Sequence, residues 1–113
     1  MAISFGSIGE KYVTFLAADS AKKGEVCKVS TNCTATGCAA GDEFCGLVRE
    51  VEGGRAGVQL GGYMEVAFSG TMPSVGYATL AADGNGGVKT AQSGKKCLIV
   101  FADNSAKTIG LFL

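Results

Sequence analysis

The sequence predicts an all-β protein: a compact small β-barrel or sandwich of about eight or nine short antiparallel strands, with an extended N-terminal arm. Three observations carry that expectation. Apolar and polar residues alternate with period two over residues 55–60 (RAGVQL) and 63–68 (YMEVAF), the pattern of a sheet with one buried and one wet face. Eighteen glycines and a single proline in 113 residues favour many tight reversals between short strands. No window holds a sustained 3.6-residue apolar stripe with caps, so little or no helix is expected.

Residues 1–11 read as the arm and residues 12–113 as one β domain. Within the arm Ile3, Phe5 and Ile8 are spaced apolar residues loosened by Gly6, Ser7 and Gly9. Such a segment is either a first edge strand or an extended piece that docks on a neighbouring protein. Residues 12–17 (YVTFLA) form the next strand, closed by a polar turn around Lys22, Lys23 and Gly24. Residues 26–30 follow, with Val26 and Val29 expected in the core. Residues 31–40 are small and polar, and fit a weak strand or a surface loop.

Residues 41–70 are the organising stretch. The run 44–51, the segment 55–60 and the segment 63–68 are separated by Gly53-Gly54 and Gly61-Gly62. Paired glycines supply the positive φ angles of tight hairpin turns, so the stretch reads as a three-stranded meander. Beyond Pro73, residues 77–80 and 88–91 flank DGNGG, the strongest hairpin signal in the chain. A phosphate-cradling reading of that loop would need a following helix with a lysine and a hydroxyl at fixed offsets. The pattern offers neither. The continuous apolar run 97–102 (CLIVFA) reads as a strand covered on both faces, and residues 107–113 close the sheet.

Ten basic and ten acidic residues cancel, so the basic face of a nucleic-acid binder is missing. Apolar runs fall short of the roughly 20 residues that span a bilayer, and residues 1–11 lack the basic and apolar regions of a secretory signal. The expectation is folding in the cytoplasm, with no membrane and no nucleic acid as partner.

Cys27, Cys33, Cys38, Cys45 and Cys97 make an odd number of thiols, which argues against a disulfide framework in a reducing compartment. The first four are weak candidates for a structural metal, since no Cys-x-x-Cys pair and no histidine accompany them. Buried free thiols acting as small hydrophobes fit better. Cys33 and Cys38 flank a glycine-containing loop and could pair if the protein met an oxidant. Cys97, after Lys95-Lys96, is the nearest candidate nucleophile, but its place heading an apolar strand makes it a core thiol. Asp42 and Glu43 are adjacent and on a strand would face opposite ways. No catalytic residue, cofactor or small-molecule substrate is expected.

A faint internal echo is also present. A shift of 52 residues lays Gly24 on Gly76, Cys45 on Cys97, Leu47 on Ile99 and Val48 on Val100. Duplication and chance repetition in a glycine-rich chain both produce such matches.

The pieces KGEVCKVS, AGDEFCGLVREVEGGRAGVQLGGYMEVAFSG, VGYATLAADGNGGVKTA and TIGLFL, in that order, resemble the small tailed-phage capsid decoration (capsid cement) proteins. The resemblance covers roughly residues 22–113. The five cysteines and the missing tryptophan and histidine depart from it. It implies a structural virion protein, a homotrimer in many members, that binds the major capsid protein on the outside of the capsid and reinforces it. It also implies that the arm adds a strand to the capsid lattice, with Ile3, Phe5 and Ile8 as anchors. The alternatives are a head-completion or tail protein of similar fold, and a metal-binding module built on Cys27, Cys33, Cys38 and Cys45.

Overall fold

The computed structural model describes residues 10–113. Among these residues there are ten strands and no helix: β1 (Lys11–Ala17), β2 (Val26–Thr31), β3 (Thr34–Gly37), β4 (Gly46–Glu52), β5 (Arg55–Gly61), β6 (Tyr63–Ala67), β7 (Gly76–Ala82), β8 (Val88–Thr90), β9 (Lys95–Asp103) and β10 (Thr108–Phe112). The all-β expectation holds, and the tenth strand is β3, which the sequence leaves between strand and loop. Strands β1 to β5 form a closed barrel in the order β1-β3-β2-β4-β5, and β6 to β10 form a second sheet in the order β6-β10-β9-β7-β8.

The barrel is not wholly antiparallel. Strands β1 and β3 run parallel, through Leu16↔Thr34 and Ala17↔Ala35. The reason is topological: around a closed ring with an odd number of strands, directions cannot alternate throughout, so one neighbouring pair must run parallel. The β4–β5 hairpin turns on Gly53 and Gly54, whose φ angles of 58° and 77° match the left-handed pair of a type I′ turn.

Strand β6 departs from the expected meander. It follows β5 after Gly62 but pairs with β10, so the glycine pair at 61–62 marks a crossing from one sheet to the other. Two more expectations are corrected. Val29 is 46% exposed: its pairing with buried Ala35 puts it on the barrel's inner face, but next to the register shift that ends the ladder. Cys27 takes the core position instead. The run 97–102 is fully covered on one face alone. Cys97 and Ile99 point into the core, and a bulge between the Ile99 and Phe101 pairings then turns Phe101 outward.

Two apolar cores result. Small side chains fill the barrel, namely Cys27, Ala35, Val48, Ala56 and Val58. A larger core lies between the barrel's outer wall and the second sheet, with Val26, Phe44 and Leu47 packed among Met64, Val66, Leu80, Ile99, Ile109 and Leu111. Five strands are too few to enclose large residues, so the bulky ones collect between the two units.

The echo in the sequence has a counterpart in the fold. Leu47↔Gln59 in the barrel corresponds to Ile99↔Leu111 in the second sheet, and Thr14↔Gly57 to Val66↔Ile109, each 52 residues on. Both hairpins carry a register shift, with Arg49 the extra residue in the first and Val100 in the second, one position apart on the 52-residue shift. The parallel β1–β3 pairing has its equivalent in a single parallel bridge, Phe68↔Val88, which draws the edges of the second sheet together. The two halves share one topology.

Candidate functional site

The expected arm anchors Ile3, Phe5 and Ile8 lie outside the described residues. The expected metal candidates divide. Cys33 is exposed, while Cys27, Cys38 and Cys45 lie inside or half inside the protein. Among the described residues no group of three or more His, Cys, Asp or Glu converges in a way that could hold a metal ion. The pairing of Cys33 with Cys38 is also corrected. Strand β3 separates them, and five residue steps at strand rise set them roughly 16 Å apart, far beyond disulfide reach. Cys97 is buried in the larger core, where loss of solvent pushes its thiol up to about 11.

What the described residues do assemble is an apolar row on the outer face of the second sheet. In register across four strands, Tyr77 on β7 is opposite Leu98 on β9, Leu98 is opposite Phe112 on β10, and Phe112 is opposite Tyr63 on β6. The neighbouring positions Cys97, Leu111 and Met64 are buried in the core, so the pleat sends this row outward. The Tyr63 and Phe112 rings meet with centroids 5.5 Å apart at 60°, a favourable tilted geometry.

The row ends in open surface. Tyr77 is 71% exposed and Val75, just before β7, is 67% exposed. Lys96 Nζ sits 5.1 Å from the Tyr77 ring centroid, holding the ring by a cation–π contact. Phe101, at 37% exposure, lies beside the row over Gly110. A β-carbon on Gly110 would fall 2.3 Å from Phe101 Cε1 and 2.4 Å from Tyr63 Oη. The glycine is what lets both rings lie flat against the sheet. Tyr63 Oη donates to Glu65 Oε2 at 2.9 Å, and burial together with that carboxylate pushes the phenol up to about 12. The hydroxyl stays protonated and keeps donating.

One buried polar residue holds the junction beside this face. Gln59 is fully buried. Its Nε2 donates to Gly61 O at 2.9 Å and to Tyr63 O at 2.8 Å, and its Oε1 accepts from Arg49 at 3.3 Å. It ties the last turn of the barrel to the first residue of the second sheet. Strand alternation assigns Gln59 to the wet face; it pairs with Leu47 on the barrel's outer wall, and there the second sheet covers that wall and buries it.

The outer row was legible only as a hint. Tyr63 and Tyr77 occupy polar-side positions of their strands, and aromatic residues there are the signal. Their alignment needs the β6–β10–β9–β7 order, which no local pattern encodes. Chemically, a rigid face of planar rings edged by Lys96 and Glu65 suits contact with a protein surface through shape and apolar area. Compared with family models and with curated proteins, the chain matches none.

Proposed function

We propose that this protein is a structural virion component that binds the outer surface of a tailed-phage capsid and stabilises it, acting as a homotrimer through contact with the major capsid protein. The observation that carries the reading is the outward row on the second sheet, ending at Tyr77 with 71% of its surface open. Large aromatic side chains held on a rigid sheet anchor protein interfaces, because they bury much apolar area while losing little rotamer freedom. The likeness of the motifs to capsid cement proteins supplies the partner class. The balanced charge of ten basic and ten acidic residues suits a partner recognised by shape rather than by field.

On this reading the chain performs no chemistry of its own. Residues 1–9 add a strand to the capsid lattice, with backbone hydrogen bonds for affinity and Ile3, Phe5 and Ile8 for register. The aromatic row packs against the same lattice. The test is deletion of residues 1–9. The truncated protein is expected to keep its circular dichroism and melting transition while losing binding to capsids. Binding at full strength would remove the arm from the mechanism.

A further inference from the structure

Two cysteines that the proposed function leaves unused lie against each other. Cys27 sits on β2 inside the barrel with no solvent exposure. Cys45, the residue before β4, is half-buried, and its backbone N–H donates to Cys27 O at 2.8 Å. Directly opposite Cys27 is Gly46, so Cys45 is one step from the facing position. Both thiols border the barrel core. Neighbouring chains held by a backbone hydrogen bond fall within the Cα range that a disulfide requires.

We propose that Cys27 and Cys45 form a redox-active dithiol that low-molecular-weight disulfides oxidise to an intramolecular disulfide, stapling β2 to the start of β4.

The two thiols have different parts. Cys27 keeps its proton, because the neighbouring Cys45 thiol and burial both push it up. The adjacent Cys27 thiol, helped by a backbone N–H and by the charge of Lys95, draws Cys45 down to about 7. A half-exposed thiol near neutrality beside a buried resolving thiol is the arrangement thiol–disulfide exchange needs. In the first step the Cys45 thiolate attacks one sulfur of the small disulfide. The S–S bond breaks, one thiolate leaves with the electron pair, and Cys45 carries the other half as a mixed disulfide. In the second step Cys27 attacks the Cys45 sulfur and expels the second small thiolate, which takes up the Cys27 proton as it leaves. The two cysteines give up two electrons, and the disulfide becomes two thiols. In a reducing cytoplasm the pair stays open; in an oxidising medium it closes.

The other cysteines are poorly placed to compete. Cys33 is at the far end of β2, Cys97 is sealed in the larger core, and burial and Asp42 push Cys38 up to about 11.

The experiment incubates the native full-length protein with glutathione disulfide, caps the remaining thiols with N-ethylmaleimide, and maps peptides by mass spectrometry. The expected product is a dominant Cys27–Cys45 link that dithiothreitol reverses. In Cys27→Ser the reaction should stop at a stable glutathione adduct on Cys45. In the untreated protein Cys45 should alkylate on the order of tenfold faster than Cys97. Closure between Cys45 and Cys38, Cys45 remaining free while Cys33 alone is modified, or a stoichiometric zinc shielding these thiols would each overturn the proposal.

Discussion

The side-chain amide of Gln59 donates to the backbone carbonyl of Tyr63 at 2.8 Å, and this bond, with its companion to Gly61 O, fixes where the chain leaves the barrel. Main-chain carbonyls at a crossover have no ladder partner, and a fully buried amide donor stands in for one.

Replacing Gln59 by leucine keeps the volume but leaves those acceptors short of a donor inside the protein. The expected loss is about 2–4 kcal/mol, read as a lower urea midpoint with the slope of the transition unchanged. A midpoint equal to the wild type would mean that water replaces the amide at this junction.

Gly110→Ala tests the packing of the outer row. The added carbon meets Phe101 and Tyr63 well inside van der Waals contact, so both rings must lift from the sheet. A cost of about 1–3 kcal/mol is expected, together with a change in tyrosine fluorescence. If the melting temperature and the emission both stay put, the rings do not rest where the structure has them.

Asp83 organises the β7–β8 turn. Its Oδ1 accepts from Asn85 N at 2.7 Å and Gly87 N at 3.1 Å, while its Oδ2 accepts from Ser69 Oγ at 2.7 Å. Asp83→Ala should cost about 1–2 kcal/mol. Amide hydrogen exchange should quicken first at Asn85 and Gly87, and uniform exchange across both halves would argue against a local role.

Asp42 supplies a pH dependence. Its carboxylate accepts from Lys28 Nζ at 2.6 Å and from Ala39 N at 2.8 Å, and the Lys28 bond first, then the Ala39 amide, lowers its pKa below the usual 3.8. A depressed folded value means that the stabilisation is present above the unfolded value and disappears as pH falls through the folded one. Asp42→Asn should therefore be less stable than the wild type at neutral pH and converge with it in strong acid. The pair is partly exposed, so the gap should be small and narrow further in high salt. A gap that widens in acid would contradict the assignment.

Local chemistry made much of the fold legible. Gly53-Gly54 and the DGNGG loop each specify a hairpin from their own backbone preferences, and the structure has both. Gly61-Gly62 carries the same signal, yet its strand β6 finds β10, because the choice between turning back and crossing over is settled by distant apolar partners such as Ile109 and Leu111. Gln59 keeps to the alternation, but the barrel face that the local pattern leaves wet is covered by the second sheet beside Leu47, and the amide is buried with its hydrogen bonds satisfied. The thiols show the same limit. Spacing suggested Cys33 and Cys38, whereas the pairing of β2 with β4 brings together Cys27 and Cys45. The faint 52-residue echo, by contrast, reflected a shared strand order that the pairings Leu47↔Gln59 and Ile99↔Leu111 make visible.

The central claim is that this sheet face, with the arm, grips a capsid. The most direct measurement is co-sedimentation of the protein with expanded shells of a tailed-phage major capsid protein. Wild-type protein should pellet with the shells to a saturating ratio, and Tyr77→Asp with Phe101→Asp should weaken binding at least about tenfold without altering the fold. Wild-type protein that stays in the supernatant at saturating shell concentration would contradict the account.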